Sequence, residues 1–78
     1  MNEKELVEFI AKSLVDEADK VSVNVVESEK STILELSVAE SDIGKIIGKH
    51  GRIAKAIRTV LAAVSNKGKK RVLLDIMD

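Results

Sequence analysis

Ile43-Gly44-Lys45-Ile46-Ile47-Gly48-Lys49-His50-Gly51-Arg52-Ile53-Ala54 is the stretch on which the reading of this chain turns. On its N-terminal side, Asp42 to Ile47 leaves room for about two helical turns, with Ser41 as the expected cap. On its C-terminal side, Ile53, Ile57, Val60, Leu61 and Val64 recur at helical spacing. They predict a long helix from Arg52 to Ser65, closed by a left-handed glycine cap in Asn66-Lys67-Gly68. Only Gly48, Lys49, His50 and Gly51 stand between the two helices. Glycine tolerates left-handed backbone and lets a ligand approach the main chain without a Cβ in the way. The loop opens directly into a helix N-terminus, whose unpaired N–H groups and positive dipole end favour phosphate. Lys49 adds a mobile charge and Arg52 a fork of donors, so the segment predicts a phosphate clamp. Gly44 costs its helix about 1 kcal/mol relative to Ala, which points to close approach of a ligand there.

Working outward, Leu6, Val7, Ile10, Leu14 and Val15 recur at helical spacing between Glu3 and Asp16, with Glu5, Glu8, Lys12 and Glu17 on the other side. Val21, Val23 and Val25 then alternate with Ser22 and Asn24. Ser28-Glu29-Lys30 supplies a polar turn, and Thr32, Leu34, Leu36 and Val38 alternate again, which predicts a hairpin. Val72, Leu74 and Ile76 form a last strand. The order αββααβ makes an α+β domain spanning residues 1–78. A helical crossover joins the second and third strands, so they run parallel in a three-stranded mixed sheet with three helices on one face. Ile43, Ile46, Ile57, Val60, Leu61 and Val64 are assigned to the core, with Ile57 or Val60 shared with a partner chain.

The chain has 78 residues and no cysteine, which removes disulfides, thiolate metal sites and cysteine nucleophiles from consideration. Its net charge of zero hides a segregation. Residues 1–42 carry 11 Asp and Glu against 4 Lys and Arg, whereas residues 43–74 carry 9 Lys and Arg and no acid. Such polarity suggests contact with a polyanion through the second half. Nothing near Met1 has the pattern of a signal peptide, and no apolar run reaches membrane-spanning length, so the cytoplasm is the expected location. A Walker loop requires four residues between Gly and Gly-Lys, followed by Ser or Thr. Here three separate Gly44 from Gly48 and His50 follows Lys49. No catalytic constellation, metal site or cofactor is expected.

The quoted segment resembles the signature of KH domains, in which an Ile-Gly-x-x-Gly-x-x-Ile core is preceded by another Gly one helical turn upstream. The αββααβ order is similar to the type II KH arrangement, and the resemblance covers the whole chain. It implies recognition of about four unpaired RNA nucleotides whose backbone is clamped by the GxxG loop. Carried onto this sequence, Gly48, Lys49, His50 and Gly51 form the loop. Gly44, Lys45, Ile47, Arg52 and Ile53 border an adjacent aliphatic groove. Ala54 stands where the closing Ile is expected, and Ile53 comes one residue early. Phe9 is the sole aromatic residue, so base stacking on aromatic platforms is not the expected mechanism.

The function so implied is a non-catalytic RNA-binding protein acting post-transcriptionally, as an RNA chaperone or regulator. The competing reading is an interaction subunit, either a homodimer or a heteromer with a larger KH-bearing protein. A third is a single-stranded DNA binder, since a backbone clamp separates the two sugars only through a 2′-OH contact.

Overall fold

A computed structural model describes residues 2–65 and 70–78. The first helix, α1 (Glu3–Leu14), begins with a reciprocal cap. Asn2 Oδ1 accepts the Glu5 N–H at 2.8 Å, and Glu5 Oε1 accepts the Asn2 N–H at 3.1 Å. Two donors that a helix start would leave unpaired are thereby satisfied. A 3-10 turn at Ala18–Lys20 leads into the hairpin of β1 (Ser22–Glu27) and β2 (Ser31–Ser37). Ser28 closes that hairpin through its N–H, which donates to the Ser31 carbonyl at 2.9 Å. A second 3-10 turn, Glu40–Asp42, precedes α2 (Ile43–Ile47), and a third, Lys49–Gly51, joins it to α3 (Arg52–Val64). The last strand is β3 (Arg71–Ile76).

The sheet order is β1-β2-β3, with β1 antiparallel and β3 parallel to the central strand. Val23 lies opposite Leu36, and Leu34 opposite Leu74, so the buried residues of all three strands share one face. Val7 and Ala11 from α1, Ile46 from α2, and Ile57 and Leu61 from α3 close the core over that face. The expected α+β order, mixed sheet and one-sided helical layer are therefore present. Val26, Ile33 and Leu73 sit side by side on the opposite, open face.

Two expectations are corrected. Ser41 does not cap α2. The Glu40–Asp42 turn runs directly into the helix, so the N-cap is Asp42, already near helical dihedrals (φ −101, ψ −6) and without a side-chain cap bond. A capping side chain needs an extended backbone, which the start of α2 lacks; the Ser41 hydroxyl instead donates to Glu17 Oε2 at 3.4 Å. Val60, Val64 and Ile43 are not core residues; Ile43 is half-buried and lies outside the core cluster. The buried stripe of α3 is Ala54, Ile57 and Leu61; at about 100° per residue, Val60 lies about 90° and Val64 about 50° round the helix from the middle of that stripe. Val60 is 41% and Val64 53% exposed. The expected cap in Asn66-Lys67-Gly68 lies outside the described residues.

Candidate nucleic-acid interface

Three of the four loop residues take positive φ: Gly48 at +77°, His50 at +60° and Gly51 at +73°. Glycine adopts these angles freely, and histidine is among the few other residues found there with any frequency. Gly48 N–H donates to the Gly44 carbonyl at 2.8 Å, and Gly51 N–H to the Gly48 carbonyl at 3.1 Å, so the loop is a tight hydrogen-bonded turn. A Cβ on Gly48 would lie 2.8 Å from Cβ of Ile53. Ile53 is thus the floor on which the loop rests, half-buried and packed against the core. A Cβ on Gly44 would meet nothing within 4 Å, so that position faces open space, as close approach of a ligand requires. The first turn of α3 has no side-chain cap, which leaves N–H groups at its dipole's positive end for another acceptor.

Lys49, His50 and Arg52 are exposed, and among the described residues none of them forms an ion pair. Lys45 differs. Its Nζ lies 3.2 Å from Asp16 Oδ2 and 3.3 Å from Asp42 Oδ1, so it links the acidic first half of the chain to α2. Asp42 is 1% exposed. Its carboxylate accepts the backbone N–H of Glu17 at 3.0 Å and of Asp16 at 3.2 Å. The Glu17 N–H, then the Asp16 N–H and Lys45, favour the charged form against the opposing effect of burial, and hold the Asp42 carboxyl below its usual range. Hydrogen bonds from Lys45 to Asp16 and to Asp42 raise the Lys45 ammonium above its own. Sequence reasoning placed Lys45 beside the groove and assigned Asp42 no structural part.

A cleft of about 330 Å³ runs from the loop to the last strand. Ile43, Ile47, Gly51 and Ala54 line it from the helices, Arg58 from the next turn of α3, and Asp75, Ile76 and Asp78 from β3 and the residues after it. Of the sequence-selected residues, Ile47 and Gly51 therefore line the cleft, and Gly51 brings the rest of the loop to its end. Gly51, Ala54 and Arg58 fall at i, i+3 and i+7, a helical stripe that the sequence already contained. The β3 residues gave no such signal, because their place depends on sheet order.

A family model described as KhpA/KhpB, KH domain matches residues 4–76. RNA-binding protein KhpA of Borreliella burgdorferi is 64% identical over 77 residues, covering 99% of this chain and 94% of that protein. The protein of the same name from Clostridium perfringens is 60% identical over 74 residues, covering 95% and 99%, and that from Aquifex aeolicus 51% over 75 residues, covering 96% and 95%. A solved structure of an Aquifex aeolicus Era variant bound to GDP.AlF4- has a TM-score of 0.59 at 22% identity, over 96% of this chain and 30% of that one, a likeness of fold alone. With the family match taking in both strands of the hairpin, the loop, its two flanking helices and the last strand, the chain belongs to the KhpA/KhpB KH-domain family.

Proposed function

We propose that this protein binds single-stranded RNA, holding about four nucleotides with their backbone on the Gly48 to Gly51 loop and their bases toward the cleft. The observation that carries this reading is the loop itself. Its positive-φ turn exposes main chain beside a helix start without a side-chain cap, with Lys49 and Arg52 at the same place and in no ion pair among the described residues. The RNA-binding names of the relatives support the same reading. It describes a cytoplasmic, non-catalytic protein that acts on transcripts as a chaperone or regulator. Titration of a labelled single-stranded RNA at increasing salt tests it. Affinity should fall with a log-log slope of about −0.7 for each phosphate neutralised, and a DNA strand of the same sequence serves as the comparison. An affinity unchanged between about 50 and 200 mM salt would rule out the clamp.

A second contact surface accompanies it. Leu6 and Val64 line one cleft between α1 and α3, Val60 (41% exposed) lies one turn back from Val64 on α3, and Phe9 stands exposed elsewhere on α1. Exposed apolar side chains on adjoining helices support association with a second copy, or with a KhpB-like protein carrying the same kind of domain.

A further inference from the structure

We propose that the free edge of β1 is a docking site for an extended, basic segment of another protein, which joins the sheet as a fourth strand. Among the described residues β1 is an outer strand, paired only with β2. Ser28 N–H donates to the Ser31 carbonyl, and the antiparallel ladder alternates from that pair, so Val26 and Asn24 bond inward to Ile33 and Glu35. The main-chain N–H and C=O groups of Val23, Val25 and Glu27 therefore point away from the sheet. Among the described residues no other main-chain group bonds to these three.

A strand edge left open is commonly blunted by a lysine, a proline or a bulge. β1 has none of these: its register with β2 runs unbroken from Ser22 to Glu27, and Val25 and Val26 are 40% and 42% exposed. A cleft of about 410 Å³ adjoins the second half of the strand, with Val25 and Leu34 on its sheet side and Asn2 and Glu3 at the start of α1 opposite them. Directly opposed residues of paired strands send their side chains to the same face. A residue added opposite Val25 therefore turns its side chain toward this cleft, where an apolar one fits.

Charge selects the occupant. Glu17 and Asp19 precede the strand and Glu27 and Glu29 close it, within the half of the chain that carries 11 Asp and Glu against 4 Lys and Arg. Antiparallel pairing with β1 of a second copy would bring the acids at one end of each strand toward those at the other end of its partner, and like charges across a strand pair are destabilising. A phosphate backbone is repelled by both ends. A partner strand with Lys or Arg at its ends is complementary to them. The cleft beside the Gly48 to Gly51 loop is bounded by β3, at the opposite edge of the sheet, so the two sites do not overlap.

The probe is a fluorescent peptide, Lys-Lys-Val-Thr-Val-Thr-Val-Lys-Lys, titrated by anisotropy into the intact protein. It should bind, and should slow hydrogen exchange at the Val23, Val25 and Glu27 amides while leaving those of Asn24 and Val26 unchanged. Replacing its lysines by glutamate should weaken it at least about tenfold. N-methylation of the valine amides, which face β1 in an antiparallel pair, should abolish binding, whereas N-methylation of the threonine amides should leave it nearly intact. Val25→Pro removes an outward N–H and none from the ladder, so it should lose the peptide while its circular dichroism stays that of the parent. Should that variant not fold, the two N-methylated peptides decide. Failure of the lysine peptide to bind, equal affinity for the glutamate version, or equal binding of both N-methylated peptides overturns the assignment. Protection of the same three amides in the protein alone as its concentration rises also overturns it, since the occupant is then a second copy.

Discussion

Gly44 and Gly48 are four residues apart and are required for different reasons. Gly48 combines a φ of +77° with the Ile53 side chain beneath it. Gly48→Ala should therefore destabilise the domain by at least about 2 kcal/mol, the sum of a left-handed alanine and a displaced neighbour. Thermal unfolding would register this as a drop of about 10 °C. Gly44 has helical neighbours and open space where its side chain would be. Gly44→Ala should stabilise the domain by up to about 1 kcal/mol of helix propensity, raise the melting temperature accordingly, and weaken RNA binding. A substitution that gains stability and loses affinity separates a ligand-approach glycine from a structural one. The sequence made the loop glycines legible because only such residues suit a turn between helices. It left Ile53 ambiguous, one place away from the expected closing position, and only the distance from Gly48 explains it as the loop's support.

At the scale of elements, the Asp42 carboxylate fastens the chain after α1 to the start of α2 through two backbone N–H groups and Lys45. Its folded-state carboxyl is held below the ordinary value, so the stability it contributes is complete above the unfolded value near about 3.9 and is lost as pH falls through the folded one. Asp42→Asn should lower the melting temperature at pH 7, and the gap to the parent should close as the pH is taken below about 4. A gap independent of pH would mean that shape alone, not charge, makes this fastening. No sequence pattern disclosed it, because the bonded partners are 25 and 26 residues away and are main-chain groups. The loop permits a cleaner separation. Aspartate tolerates the left-handed dihedrals of His50, and Lys49 is exposed. Replacing Lys49 and His50 together by Asp should leave circular dichroism and melting close to the parent while RNA affinity falls at least about tenfold, through repulsion at the α3 N-terminus.

Across the whole molecule, the helical and strand periodicities together with the rule for crossovers were enough to give the order of elements and the mixed sheet. They did not separate core from surface along α3, since Ile57, Val60, Leu61 and Val64 all satisfy a helical repeat and only packing shows which of them α1 and the sheet cover. The uncovered ones carry a prediction. Sedimentation at high micromolar concentration should show a species larger than one 8.5 kDa chain, and Val60→Asp should return it to a monomer with unchanged circular dichroism, because the side chain is already at the surface. A parent that sediments only as a monomer removes self-association and leaves the α1–α3 surface to a heterologous partner.

The parallel pairing of β3 has a consequence for the order of events as the chain is made. The hairpin of β1 and β2 is local and closes on a timescale of about microseconds, whereas β3 must find β2 across both helices and the loop. At synthesis rates of about 5–20 residues per second, the loop residues exist for a second or more before the strand that forms the far wall of the cleft. A nascent chain therefore presents the loop without a finished cleft, and whatever the cleft holds can be held only after β3 docks. The cleft is completed last.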